Sequence, residues 1–164
     1  MRARRMETLV IVGKLAVLVY IALVLLAYFY QDALIFMPQP RGERDLQAVL
    51  SRHSAVEEIR LAADDGVTLH GWFMRSAGPS PAPLLIYYGG NAEEVSWLLG
   101  EAGRFAAYSL LLVNYRGYGG SGGKPGEAAL YADALRVFDH AASRADVDTR
   151  RMVIKVLALH ATRE

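Results

Sequence analysis

Leu84-Leu85-Ile86-Tyr87-Tyr88-Gly89-Gly90-Asn91-Ala92-Glu93-Glu94 is the stretch that decides the fold. Its unbroken apolar run fits a strand covered on both faces, since a half-buried strand would alternate apolar with polar. Gly89-Gly90 breaks the run. Asn91 then stands as a helix N-cap, with Glu94 three residues on to complete a capping-box pair. The helix is expected to reach about residue 107.

The same grammar repeats on both sides. Residues 110–114 form another buried strand, followed by a glycine-rich loop. A helix is expected from about 126 to 143, with Pro125 suited to its first turn. Residues 152–157 form the last strand. Upstream, Gly78-Pro79-Ser80-Pro81-Ala82-Pro83 reads as a loop, because proline lacks the N–H a ladder needs. Residues 56–62 and 67–74 read as two strands joined at Asp65-Gly66, where a tight turn requires φ > 0. Residues 41–53 are polar and partly helical, and residues 33–38 form a short apolar run closed by Pro38. Strand–helix–strand–helix–strand after a hairpin predicts an α/β fold with a largely parallel sheet.

The N-terminus follows other rules. Residues 9–29 are nearly all apolar, and as a helix they span about 31 Å, one bilayer core. A central Lys costs roughly 3 kcal/mol on insertion. The fourteen Leu, Ile, Val and Phe residues of the span return on the order of 6 kcal/mol, so Lys14 does not prevent insertion. It also lies near the N-terminal end and can snorkel to the head groups. Arg2, Arg4 and Arg5 precede the span and keep the N-terminus cytoplasmic, with the rest exported. A cleaved signal peptide is the alternative, but no small-x-small site stands before Gln31. Tyr20, Tyr28, Phe29 and Tyr30 suit an interfacial belt. The expected organisation is a cytoplasmic N-terminus and anchor over 1–30, a connecting segment over 31–55, an α/β domain over 56–157 and a tail over 158–164.

The 164 residues carry a net charge of +1, with arginines scattered beyond the N-terminus, so nothing points to nucleic acid. Apolar residues make up 53%, a value raised by the N-terminal span. The absence of cysteine removes disulfides, thiol catalysis and Cys-ligated metal. His53, His70, His140 and His160 share no short metal-ligand spacing, and no metal or cofactor is expected. Asp64-Asp65 and Glu93-Glu94 read as turn and helix-start acids.

Five motifs occur in order: Leu34-Ile35-Phe36-x-Pro38, Asp65-Gly66-Val67-x-Leu69-x-Gly71-Trp72, Gly89-Gly90-Asn91-Ala92, Asn114-Tyr115-Arg116-Gly117-Tyr118-Gly119-x-Ser121-x-Gly123 and Tyr131-x-Asp133-Ala134. Each is weak alone; the ordered set resembles the membrane-anchored branch of the α/β-hydrolase superfamily, near its serine aminopeptidase-like and depalmitoylase-like members. The resemblance covers about residues 33–157 and implies the N-terminal half of a hydrolase sheet behind one transmembrane helix. It implies a parent activity of serine-nucleophile hydrolysis of esters, thioesters or amides, on a small-molecule or acyl substrate, without metal. It also makes Asn91 an oxyanion-hole donor, with Gly90 allowing close approach, although the family more often has His where this chain has Gly89. By the residues alone, the same turn reads first as an ordinary capped helix start, whose N–H groups lack helical partners, and the surrounding motifs reverse that preference.

Gly119-Gly120-Ser121-Gly122-Gly123 fits G-x-S-x-G, but a nucleophile elbow places its Ser between a strand and a helix without intervening residues. Here Tyr115 to Gly120 separate strand from Ser, and Lys124-Pro125 separate Ser from helix. Gly117, Gly119 and Gly122 fit G-x-G-x-x-G, yet the next strand ends at Lys155-Val156-Leu157-Ala158 without the acid a dinucleotide site wants. The elbow is due after residue 156, where Leu157-Ala158-Leu159-His160-Ala161-Thr162-Arg163-Glu164 offers neither Ser nor flanking Gly. Ser121, Asp133 and His160 keep the triad order by accident. The expectation is therefore a tethered, hydrolase-like chain without catalytic residues, its tail arising from a shifted frame near codons 154–157. The alternatives are a membrane-tethered interaction module and a nucleotide-binding fragment.

Overall fold

The structure, a computed structural model, describes residues 2–156. The tail expected over 158–164, with His160, lies outside the described residues. The chain falls into two compact units that divide between Ile35 and Phe36.

The first unit is one helix, α1 (Arg2–Ile35), longer than the expected 9–29. Leu, Ile and Val side chains along it are exposed on every side. Its portion Met6–Ile35 is long and apolar enough to cross a membrane. A helix apolar all round has no polar face to offer water.

The second unit is a sheet between two helical layers. After α2 (Glu43–Arg52) come β1 (Val56–Ala62), β2 (Thr68–Met74) and β3 (Ala82–Tyr88). A 3-10 helix (Val95–Phe105), β4 (Ser109–Val113), α3 (Glu127–Ala142) and β5 (Val147–Val156) complete it. The strand order is β1-β2-β4-β3-β5. The β1–β2 and β2–β4 pairs are antiparallel, whereas β4, β3 and β5 run parallel. The α/β fold expected from the strand–helix alternation, a hairpin followed by parallel strands, is the one observed, and antiparallel pairing extends one strand further, to β2–β4, so that the sheet is mixed. The hairpin turn closes at Gly66, with φ of 82°.

Side-chain alternation sends the central strands' residues to two cores. Leu84, Ile86, Leu111 and Val113 pack with Val137 and Ala141 of α3 on one face. Leu85, Tyr87, Leu110 and Leu112 pack with Leu46 of α2 and with Val95, Leu98 and Leu99 of the 3-10 helix on the other. At about 25 cal/mol per Å² of apolar surface, this two-sided burial is what the continuous apolar strands encode. At β5 the covering thins: Val153, Ile154 and Val156 are exposed.

Two elements differ from expectation. The helix expected after a cap at Asn91 is a 3-10 helix that starts later, at Val95, with Glu94 as its N-cap, whose side chain accepts the Ser96 N–H at 3.1 Å. Residue 94 serves as the cap itself because residues 90–93 are held in a separate turn by contacts described below. The last strand begins at Val147 rather than 152. A register shift between Ala82 and Leu84 absorbs the polar Asp148-Thr149-Arg150-Arg151, which hides the strand in sequence.

Candidate active site

Three of the five motifs meet at the carboxyl ends of β3 and β4. The chain before α2 lies across them as a strap. The Met37 N–H donates to the Asn91 carbonyl at 2.9 Å and to the Tyr118 hydroxyl oxygen at 2.9 Å. The Tyr118 hydroxyl donates to the same Asn91 carbonyl. Gly119 N–H donates to the Gln39 carbonyl at 2.9 Å, and Arg41 N–H to the Gly119 carbonyl at 2.7 Å. The Phe36-x-Pro38 motif thus fastens the Gly89–Ala92 turn to the glycine-rich loop.

Behind the turn lies a buried polar network. Asn114, 1% exposed, accepts the Val95 N–H through Oδ1 at 3.2 Å. Its Nδ2 faces Glu94 Oε1 at 3.3 Å and His70 Nδ1 at 3.1 Å. Nδ2 can only donate, so His70 Nδ1 accepts and the imidazole is neutral with its proton on Nε2. Burial, with the nearby Arg60, lowers the His70 pKa to about 4. Nε2 lies 3.3 Å from Glu58 Oε1 without hydrogen-bond alignment.

Ser121 belongs to this network. Its Oγ donates to the Asn114 carbonyl at 2.9 Å and accepts the His70 N–H at 2.8 Å, and the residue is 7% exposed. No base faces the hydroxyl within these contacts. Asp133 is committed elsewhere: its carboxylate takes Arg116 Nε at 2.8 Å and Nη2 at 2.7 Å. Asp65 grips the other side of the same guanidinium. The Asn114–Gly123 motif, the Asp65-Gly66 turn and Asp133 are therefore one structural knot.

The glycines of the loop serve that knot. A Cβ at Gly119, where φ is 51°, would lie 2.2 Å from Asn114 Nδ2, and one at Gly120 would lie 2.8 Å from the His70 ring. The amides of Gly117, Tyr118, Gly119, Ser121 and Gly122 all donate to carbonyls of the chain itself. A phosphate cradle needs such amides aimed outward.

The turn after β3 is built differently. Gly90 N–H donates at 2.8 Å to Glu93 Oε2. Glu93 Oε1 takes the Tyr87 hydroxyl at 2.7 Å and the Trp97 indole N–H at 2.6 Å. Burial and the adjoining Glu93 carboxylate hold the Tyr87 phenol well above its ordinary pKa, so it stays a donor. The structure places both expected residues, Gly90 and Asn91, in one turn at the end of β3. It gives the Gly90 amide a carboxylate partner and anchors Asn91 through its carbonyl. Sequence reasoning missed Glu93, which reads as a helix-start acid; the signal was the Gly90-x-x-Glu93-x-x-x-Trp97 spacing. Among the described residues, no cluster of three His, Asp or Glu is placed to hold a metal ion.

Comparison with known proteins bears on this arrangement. No family model matches the chain. Over 142 residues it is 30% identical to the alpha/beta hydrolase domain-containing protein WAV2 of Arabidopsis thaliana, covering 83% of this chain and 46% of that protein. The crystal structure of an alpha-beta hydrolase from Vibrio vulnificus superposes with a TM-score of 0.55 at 21% identity, covering 70% of this chain and 40% of that one. The chain belongs to the α/β-hydrolase superfamily. An uncharacterized protein of Mycobacterium tuberculosis, Rv2307c, is 30% identical over 154 residues, covering 93% of this chain and 53% of its own. The chain spans about half the length of these curated relatives. Its five strands are thus a partial α/β-hydrolase sheet.

Proposed function

We propose that this α/β-hydrolase chain is membrane-tethered and contributes the oxyanion side of a serine-hydrolase site acting on esters, thioesters or amides of acyl groups, as in the serine aminopeptidase-like and depalmitoylase-like branch. The Gly90-Asn91 turn at the carboxyl end of β3 carries this reading, because its Gly90 amide already donates to a carboxylate oxygen. Backbone N–H groups fixed at the end of a strand stabilise the negative charge that develops on a carbonyl oxygen during acyl transfer. Among the described residues the one serine in a G-x-S-x-G pattern, Ser121, is buried in the knot, and residues 157–164 contain no serine. We expect these residues by themselves to be inactive on acyl substrates. Helix α1 anchors it in the bilayer as a single pass, with Arg2, Arg4 and Arg5 cytoplasmic and the domain exported. No nucleic acid is involved.

A serine-directed fluorophosphonate applied to the 164-residue protein should leave it unlabelled, and p-nitrophenyl esters should hydrolyse no faster than in buffer. Labelling at Ser121, lost in Ser121→Ala, overturns the assignment. Protease added to intact cells, after opening of any outer barrier, should remove the domain; protection overturns the orientation.

The second reading is a tethered interaction module. It is favoured by the exposed Val153, Ile154 and Val156 of β5 beside Tyr131, Leu135 and Phe138, exposed at helical spacing on α3. Residues 36–164 freed of α1 should then aggregate unless a partner covers that edge. A monomer with a cooperative melt excludes the need for one.

A further inference from the structure

Glu93 is the acid whose placement sequence reading does not explain. Its two oxygens meet three donors from three parts of the fold: Tyr87 from the end of β3, Gly90 from the turn and Trp97 from the 3-10 helix. All three are neutral, so the carboxylate is held by directed hydrogen bonds and not by a counter-charge. Tyr87 is 3% exposed and its phenol stays protonated, so its hydroxyl is fixed as a donor. Trp97 is 53% exposed, so the cradle has a solvent side.

Gly89 makes the arrangement possible. A Cβ there would lie 3.0 Å from the Glu93 carbonyl oxygen, 3.2 Å from Glu93 Cβ and 3.1 Å from Val95 Cγ1. A side chain at 89 and Glu93 in its observed place crowd one another. The donor set matches a carboxylate: one oxygen takes two donors, the other takes a backbone amide. Charge-assisted bonds of this kind are roughly twice as strong as neutral ones.

We propose that Tyr87, Gly90 and Trp97 form a carboxylate-binding cradle, that Glu93 occupies it in the ligand-free protein, and that the carboxylate of an acyl acid displaces Glu93 on binding. The proposal rests on the reading above that this turn faces the acyl group, and it names the product class that the turn retains. A tethered carboxylate competes at an effective concentration in the millimolar range or higher. A bare carboxylate therefore binds the wild type poorly, whereas an acid with an apolar chain adds the contacts needed to displace Glu93.

The test uses the full chain in nanodiscs, sodium acetate as the probe, and the fluorescence of Trp97 beside that of the buried Trp72. Glu93→Ala is expected to bind acetate saturably and at least tenfold more tightly than the wild type. Glu93→Gln, which fills the same space, should bind no better than the wild type. Adding Trp97→Phe to Glu93→Ala should weaken acetate binding and abolish its fluorescence signal. If Glu93→Ala is only marginally folded, acetate should raise its Tm, and equal sodium chloride should not. An acetate response no larger in Glu93→Ala than in the wild type overturns the cradle, as does an equal response to chloride. The assay reads no hydrolysis. Fluorophosphonate labelling at Ser121 would sink the catalytic reading and leave the cradle standing, and the converse also holds.

Discussion

Two glycine-rich turns leave the carboxyl ends of adjacent parallel strands, and they use glycine for opposite ends. After β4, the loop of residues 114–123 closes on itself. Its amides face carbonyls of the chain, its Ser121 hydroxyl is tied at both ends, and the space above Gly119 and Gly120 is filled by Asn114 and His70. After β3, Gly89 lets the Glu93 backbone and Cβ pass closely, and the Gly90 amide donates to the Glu93 carboxylate. The loop that carries more sequence signatures, G-x-S-x-G and G-x-G-x-x-G together, is the one without outward chemistry. A glycine pattern reports where the backbone must pass closely; only the neighbours decide whether it passes close to ligand or to protein.

If the loop after β4 is a knot, damage to it registers as lost stability. The largest effect is expected for Arg116→Ala, which leaves Asp133 buried without its partner. Removing one member of such a pair costs about 3 to 5 kcal/mol. Urea unfolding of the full chain in detergent micelles checks this. A loss below 1 kcal/mol would show that the guanidinium is not what holds the loop.

Acidification probes the same knot through His70. The unfolded imidazole takes a proton as pH falls through 6.5, while the folded one stays neutral until about 4. The unfolded state therefore binds more protons in that window. Stability should fall between pH 6.5 and 4 by at most about 3 kcal/mol, then level off for this group. The slope should be shallower in His70→Asn, which lacks the titrating ring. Equal slopes for the two proteins would remove His70 from the network's energetics.

Ser121→Ala comes next. It leaves the His70 N–H and the Asn114 carbonyl without their shared partner, which costs about 1 to 3 kcal/mol. Thermal melts of the micellar protein measure the loss. A melt unchanged from the wild type would mean that the hydroxyl is not a fastener.

Gly89→Ala sharpens the contrast with the smallest effect. Its Cβ meets neighbours at 3.0 to 3.2 Å, so Glu93 and Val95 must give by a few tenths of an ångström. The stability cost should be about 1 kcal/mol. Hydrogen exchange at the Gly90 amide should accelerate more than exchange in the β4 loop. Uniform acceleration across both turns would mean that they are one mechanical unit.

Much of this molecule was set by short-range pattern. The apolar span of α1, the hairpin at Gly66 and the buried runs of β3 and β4 follow from residues within a few positions of one another, because hydrophobic period and turn chemistry are local. The Asp148–Arg151 segment escaped that reading because a charged start hides the strand from a hydrophobic test. Gly90 and Asn91 were legible as a turn at a strand end, but their hydrogen-bond partners were not. Those depend on contacts that sequence spacing does not encode. Met37 meets Tyr118 across 81 residues, His70 meets Ser121 across 51, and Asn114 meets His70 across 44. Packing brought these groups together, and burial made each hydrogen bond obligatory once they met. Sequence alone determined that two glycine turns leave the sheet. Tertiary structure decided that one of them is sealed and that the other holds a carboxylate.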